Sequence, residues 1–265
     1  MVSDSEFRLL LARFRLSFEG YRKVRKGVKK RLRRKIQEMG LRSFQDFGEA
    51  LDSDPDLEAE TRLLLTVPIS RFFRDAEVWG IIEEEVLPGL GTRQEVGAWS
   101  AGCGRGEEAY TLKMVQLCRR GSRPDLPPLS LLATDLNPDW LAAAKEGVYP
   151  RSSLREVPEE LKERFFSQAL GRKQYAINEL VREGITWQEG DLLGDEPSGK
   201  FGLILLRNNV LTYCGPKLRE RALRKVAAAL EPGGFLIIGA KERLEPRPEG
   251  LMGFQGRSDI FAYRP

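Results

Sequence analysis

Along residues 21–40, YRKVRKGVKKRLRRKIQEMG, the apolar positions Tyr21, Val24, Val28, Leu32, Ile36 and Met39 recur at spacings of three and four. That period predicts a helix with one apolar stripe, ending at Gly40. Ser43 and Asp54 stand just before further amphipathic runs and are expected as helix N-caps. Residues 1–66 therefore read as a small helical, basic domain, followed by a linker over 67–92.

From residue 95 the period changes. EVGAWSAG, LSLLATD, ITWQEGD, FGLILLRN and FLIIGA are short apolar runs expected as strands. Between them lie helical patterns at 107–119, at 138–146, and from Pro216 to the PGG at 232–234. Strands alternating with helices predict an α/β, doubly wound (Rossmann-like) domain over 93–265, with a mainly parallel sheet that binds ligands at its carboxyl edge. Residues 147–184 break the rhythm with a helical PEELKERFF and a polar RKQYAINELVREG. The latter's short alternations suit an antiparallel ribbon, so an inserted β-subdomain is expected there.

Charge sharpens the reading of the first segment. The 265 residues sum to +4, yet residues 1–42 hold 14 Lys/Arg against 4 Asp/Glu, so the rest is net acidic. Ten cationic side chains between positions 22 and 35 repel one another at i,i+4. A solvated surface helix is the plain interpretation. A docking face for an acidic partner, with Arg22, Arg25, Lys29, Arg33 and Arg34 as contacts, explains the cost better.

The chain has no histidine, which excludes Ser-His and Cys-His nucleophilic chemistry. Three cysteines, Cys103, Cys118 and Cys214, form no CxxC pair, so no metal site is expected. The amino terminus starts acidic, and no run approaches 18 apolar residues. These features predict a soluble protein of the reducing cytoplasm without membrane insertion.

The candidate chemistry lies in GAWSAGCGRGEEAYTLKM, residues 97–114. A phosphate-binding P-loop requires Gly-Lys where Glu107 stands, and the dinucleotide fingerprint requires a third glycine there. What remains is Gly102, Gly104 and Gly106 followed by an acidic residue, which repels pyrophosphate and attracts a cation. S-adenosylmethionine, with an ammonium and a sulfonium and no phosphate, fits. Glu107 and Glu108 as ordinary first-turn acids is the alternative. Asp135, ending LSLLATD, stands where ribose hydroxyls lie in such sheets, or else caps the helix from Pro138. Asp191, with Leu192 beside it, either accepts from an adenine amino group or serves as a turn aspartate.

Several stretches together resemble the CheR-type chemotaxis protein-glutamate methyltransferase family: KKRLRRKIQEMGLRSFQDF, SRFFRD, WSAGCGRGEEAYTLKM, ATDLNPDWLAAAKEGVYP, NVLTY and LEPGGFLIIGAKE. They run in family order over nearly the whole chain. The resemblance implies an N-terminal helical domain, a methyltransferase domain with a β-subdomain insertion, S-adenosylmethionine as cofactor, and a chemoreceptor's acidic helical region as partner. It also implies Ser70 as a cofactor contact in place of the usual threonine, and Arg74 near both cofactor and substrate carboxylate. Glu107 matches the ligand of the cofactor's ammonium, Asp135 that of the ribose, Asp191 and Leu192 the adenine-side pair, and Tyr213 the tyrosine at the reacting centre. Two departures stand out. Pro68 replaces the usual asparagine, and LLRNNVLTY carries one residue more than the family's Arg-Asn-Val pattern. Either Arg207 is displaced by a turn irregularity, or Asn208 replaces the arginine. GAKE, residues 239–242, also lacks the family's histidine.

A glutamate carboxylate, with a reference pKa near ~4.3, is already nucleophilic at neutral pH and needs no general base. That suits a histidine-free chain. Two other readings stay open: a cofactor-binding sensor or scaffold with little turnover, and a methyltransferase acting on another acidic partner such as RNA. Against RNA, no (Asp/Asn)-Pro-Pro-aromatic tetrapeptide follows the fourth strand, and no aromatic platform interleaves the basic helix.

Overall fold

Helix starts follow the capping chemistry written in the sequence. Ser3 and Ser43 each accept from the N3 amide in a capping box, opening α1 (Asp4–Arg13) and α3 (Phe44–Ser53). Asp54 caps α4 (Pro55–Leu65) by accepting from the amides of Asp56 and Leu57. The basic helix α2 spans Arg25–Glu38, with Tyr21 in the turn before it rather than in the helix.

The computed structural model describes residues 2–67, 70–169, 173–194 and 199–265. It divides into two compact units, Met1–Val67 with Asn209–Arg219, and Pro68–Asn208 with Glu220–Pro265. The first unit packs Phe7, Leu11, Tyr21, Val28, Leu32, Phe47 and Leu65 into one core. The apolar stripe of α2 faces that core, with Val28, Leu32 and Ile36 buried. Val24 and Met39 pack against its margin.

The segment Asn209–Arg219, with the short helix α11 (Val210–Tyr213), belongs to this helical unit and not to the sheet domain that surrounds it in sequence. Leu16 pairs with Cys214 as an isolated antiparallel bridge, Ser17 N donates to Tyr213 O at 2.8 Å, and Gly215 N donates to Arg15 O at 2.8 Å. The rings of Tyr21 and Tyr213 lie 4.9 Å apart. Tyr21 is held in turn by its hydroxyl donating to Leu65 O at 2.8 Å.

The second unit opens with α5 (Ala76–Ile81), a π-helical turn at Ile82–Val86 and α6 (Leu87–Gly89). Its sheet runs β6-β2-β1-β7-β8-β10-β9, made of β1 (Val96–Ala101), β2 (Leu129–Asp135), β6 (Ile185–Glu189), β7 (Phe201–Leu206), β8 (Leu230–Ile238), β9 (Leu251–Gly253) and β10 (Ile260–Tyr263). Helices α7 (Glu107–Ser122), α8 (Pro138–Glu146) and α12 (Pro216–Ala229) connect the parallel strands. The chain leaves β1 toward β2 and returns to the opposite side of β1 as β7, so the topological switch lies at β1. Every residue of β7 is buried, as a strand covered on both faces requires.

Three details depart from the periodicity. α12 stops at Ala229, and Pro232-Gly233-Gly234 lie inside β8, where the register against β7 shifts between Phe201 and Leu203. FGLILLRN ends as a strand at Leu206. The antiparallel strands β10 and β9 extend the sheet beyond the expected elements.

Between α8 and β6 lie β3 (Val148–Pro150), a 3-10 turn (Arg151–Leu154), α9 (Glu159–Phe165), β4 (Phe166–Gln168), β5 (Gln174–Ile177) and α10 (Glu179–Arg182). The three strands form an antiparallel sheet in the order β3-β5-β4. A last 3-10 turn, Phe254–Gly256, separates β9 from β10. Among the described residues no helix is long and apolar enough to cross a membrane, and no group of His, Cys, Asp and Glu has the arrangement of a metal site.

The repulsion expected on α2 is partly relieved inside the fold. Arg25 and Lys29 both reach Asp4, at 3.4 and 2.9 Å, and the Lys29 hydrogen bond leads the effects that hold that carboxyl below its ordinary range. Lys35 pairs with Glu60, Arg34 with Glu38 and Arg22 with Glu19, while Arg31 donates to the carbonyls of Leu64 and Thr66. Lys26, Lys30 and Arg33 within α2, and Lys23 in the turn before it, stay exposed without an ion pair among the described residues.

Two glycines of the first unit test this packing with opposite signs. A Cβ on Gly20 would lie 2.1 Å from Thr212 O, whereas one on Gly27, within α2, meets nothing inside 4 Å. Gly20→Ala is expected to destabilise the chain by about 1–3 kcal/mol, from forced displacement of the 209–219 segment. Gly27→Ala is expected to stabilise it by about 0.5–1 kcal/mol, both read from denaturant unfolding.

Candidate functional site

The loop after β1 is shaped by backbone geometry. Gly102, Gly104 and Gly106 have φ of +77°, +58° and +90°, in the region L side chains avoid, which accounts for glycine at three alternate positions. The amides of Gly102 and Cys103 both donate to Thr134 O at 2.8 Å, tying the loop to β2. A Cβ on Gly106 would stand 2.8 Å from the Trp187 ring and 2.9 Å from the Ala144 methyl, so only glycine lets α7 begin there.

Asp135 ends β2, buried under this loop. Its Oδ2 accepts from Gly104 N at 2.7 Å and its Oδ1 from Asn137 N at 2.9 Å. Burial raises its pKa, and the backbone donors oppose that rise. The cap of α8 is not Asp135 but Asn137, whose side-chain oxygen accepts from Asp139 N and Trp140 N at 3.0 and 3.3 Å. Asp135 is therefore fixed at the strand end without being consumed by helix capping.

The two glutamates that open α7 have different partners. Glu107 is 3% exposed, and its Oε2 is buried with no hydrogen-bond partner among the described residues. Burial pushes its pKa to about 7, with its own backbone N–H and the Arg105 charge pulling the other way. Glu108 accepts from Ser100 Oγ at 3.0 Å and faces Arg207 at 3.4 Å. Its pKa is also raised by burial, opposed first by Arg207.

Arg207 follows β7 with its side chain 2% exposed. Nη2 donates to Asp75 Oδ2 and to Arg74 O, each at 2.9 Å, and its guanidinium carbon lies 5.1 Å from the Trp79 ring centroid. Trp79 Nε1 donates to the same Arg74 carbonyl at 2.9 Å. The surplus residue of LLRNNVLTY is absorbed at Asn208, whose φ is +58°. Asn208 N donates to Glu242 Oε2 at 2.8 Å, so the chain turns away after Arg207 and leaves that arginine inside the domain.

The turn 71–75 is anchored at several points. Phe72 packs edge-on against Tyr149 and Phe166, at 4.8 and 5.1 Å, and its amide donates to Ser153 O at 3.1 Å. Phe73 N donates to Thr111 Oγ1 at 3.2 Å, and that hydroxyl donates to Glu107 O at 2.6 Å. Phe73 and Asp75 both have positive φ, +54° and +60°. Left-handed non-glycine residues cost roughly 1–2 kcal/mol each, so this turn persists because its surroundings hold it.

The loop glycines, Glu107, Asp135, Arg74 and Arg207 thus belong to one network at the carboxyl edge of β1, β2 and β7. Ser70 precedes the turn half-buried, and Pro68 lies outside the described residues. Asp191 Oδ1 accepts from Leu193 N at 2.8 Å in a turn, with Leu192 half-buried beside it. Tyr213 lies in the helical unit, against Tyr21. Arg22, Arg25, Lys29 and Arg34 spend their charge on neighbouring carboxylates, leaving Arg33 as the one of the five docking candidates without an ion pair among the described residues. Asp75 and Trp79 were not singled out by sequence, although RFFRD contains the former.

The orphaned Glu107 oxygen is a direct test of ligand chemistry. A buried carboxylate oxygen without a hydrogen-bond or ion-pair partner among the described residues fits an ammonium and opposes a phosphate. The family model "CheR methyltransferase, SAM binding domain" matches residues 69–257. A chemotaxis protein methyltransferase of Listeria monocytogenes is 35% identical over 212 residues, 79% of this chain and 78% of the relative. One from Vibrio anguillarum is 31% identical over 184 residues, 68% of this chain and 66% of the relative. An uncharacterized 104.1 kDa protein of Rhodobacter capsulatus is 33% identical over 246 residues, and the chain spans 90% of itself but only 25% of that protein's length. A cation-seeking carboxylate under a left-handed glycine loop is what an S-adenosylmethionine site needs, and with these matches the chain belongs to the CheR methyltransferase family, with S-adenosylmethionine as its cofactor.

Proposed function

We propose that this chain methylates glutamate carboxylates on an acidic helical protein, the cytoplasmic region of a chemoreceptor. The observation that carries the reading is the buried Oε2 of Glu107 at the head of α7, without a hydrogen-bond partner among the described residues, beside a glycine loop that admits close backbone approach. When bound, S-adenosylmethionine supplies an electrophilic methyl on a sulfonium. Glu107 holds its ammonium and Asp135 accepts from its ribose hydroxyls.

Methyl transfer to a carboxylate joins an anion and a cation into neutral products, so water stabilises the reactants more than the transition state. A drier site that aligns the pair accelerates transfer without any proton acceptor. Arg74 orients the incoming carboxylate. The assignment of Tyr213 to the reacting centre rests on the resemblance alone, and Tyr213→Phe tests it. Support for an acidic helical partner comes from Lys26, Lys30 and Arg33 on α2, with Lys23 in the turn before it, all exposed cations. The names of the Listeria and Vibrio relatives support the chemotaxis setting.

The decisive assay supplies methyl-labelled cofactor with a receptor methylation fragment and, separately, with RNA. Label on the fragment that alkali releases as methanol is the expected product, since carboxyl methyl esters hydrolyse in base. Alkali-stable label on RNA, or cofactor binding without transfer to either, would replace the reading. Changing Lys26, Lys30 and Arg33 together to Glu is expected to weaken fragment engagement roughly tenfold or more at low salt, with cofactor affinity within about twofold.

Glu107 sets a pH dependence. Its pKa of about 7 means that below neutrality the free site carries a proton that an ammonium ligand must expel. Cofactor affinity is therefore expected to rise as pH increases from about 5.5 to 7, by up to about 1.4 kcal/mol per unit, and to level off above. Calorimetry in buffers of different ionisation enthalpy should show proton release below neutrality, and Glu107→Gln should bind weakly with that slope removed.

A further inference from the structure

We infer that Arg207 is a positioning residue that locks the Arg74 turn, and not a ligand of the cofactor; this rests on the reading in which Arg74 orients the substrate carboxylate. The guanidinium is committed to the protein. One Nη reaches both the Asp75 carboxylate and the Arg74 carbonyl at 2.9 Å, the other faces Glu108 at 3.4 Å, and the plane lies against Trp79. Trp79 binds the same Arg74 carbonyl from its indole N–H.

These contacts converge on a turn that needs restraint. Arg74 stands between Phe73 and Asp75, two non-glycine residues at positive φ. A restraint through the backbone carbonyl and the next side chain fixes the peptide from which the Arg74 side chain departs. Because Glu108 is also held by Ser100 at the end of β1, the turn is registered against the strand and helix that carry the glycine loop. Nε of Arg207 is buried and makes no hydrogen bond among the described residues, so the geometry is set by the two Nη groups. Lysine keeps the charge but cannot span Asp75, Arg74 O and Glu108 together.

The test uses the full chain with Arg207→Lys and, separately, Asp75→Asn. Three readouts are taken: S-adenosylmethionine affinity by calorimetry, kcat and KM for methyl-ester formation on a receptor methylation fragment, and brief trypsin digestion mapped by mass spectrometry. The expected result is cofactor affinity within about threefold, kcat lower by roughly ten- to a hundredfold, and new cleavage after Arg74. Loss of cofactor affinity by the same factor as the rate, with the turn still protected, would make Arg207 a ligand and overturn the inference. Unchanged rate and unchanged cleavage would overturn it as well. Should Arg207→Lys fail to fold, Asp75→Asn decides, since it removes the carboxylate anchor and leaves Arg207 in place. If the wild-type chain forms no methyl ester, the proposed function fails on its own, and the digestion and calorimetry still settle the clamp.

Discussion

Two adjacent carboxylates at the start of one helix are both withdrawn from water, and among the described residues only one of them is ion-paired. Burying an ionised group without a partner costs several kcal/mol, so a fold tolerates it by neutralising the group or by reserving it for a ligand. Glu108 meets Arg207 and Ser100, and its charge is part of the scaffold. Glu107 Oε2 has no hydrogen-bond partner among the described residues, and burial pushes this carboxyl to about 7. The paired and the unpaired carboxylate are therefore separated by a single residue step, which on a helix turns a side chain by about 100°.

That separation depends on the elements around it. Gly106 must lack a side chain so that α7 begins close to Trp187 and Ala144, which places Glu107 under the loop instead of in solvent. Asp135 must accept from Gly104 so that the loop closes over β2. Arg207 must leave β7 inward, which the left-handed turn at Asn208 permits despite the surplus residue. Changing any one of these residues would alter the dielectric or the geometry of the others, so the site is a single electrostatic unit distributed over three strand ends and one turn.

Much of this was legible in the sequence, and the limits are physical. The strands ending at Ala101 and Asp135 and the helix from Pro138 to Glu146 follow from apolar runs, glycine and proline punctuation, and an asparagine cap. The expectation of Glu107 as a cation ligand comes from eliminating phosphate loops, and the structure adds that its Oε2 is buried without a hydrogen-bond partner among the described residues. What remained ambiguous turned on conformation or on distant partners. Nothing in LLRNNVLTY says which of two consecutive asparagines adopts positive φ, so Arg207 and Asn208 could not be distinguished. The charge of α2 looked unrelieved because Asp4 and Glu60, which answer it, lie far away in sequence. The strands β9 and β10 are only three and four residues long, too short for alternation to register.

The two kinds of positive charge in this chain answer to different physics. Arg207 is buried among Asp75, Glu108 and Trp79, where water and salt do not screen it, so its contribution is geometric and constant across ionic conditions. Lys23, Lys26, Lys30 and Arg33 are exposed, and beyond a Debye length of about 8 Å at physiological ionic strength their pull on a partner is largely screened. Four such charges would draw in an acidic partner only over a short range and release it easily, because each pair formed in water gains little. Under the proposed function that combination suits an enzyme visiting several glutamates, with encounter weak and salt-sensitive while the turn that carries Arg74 stays rigid. On that reading, strengthening the exposed charges would slow the partner's departure, whereas loosening Arg207 would act on the turn that carries Arg74.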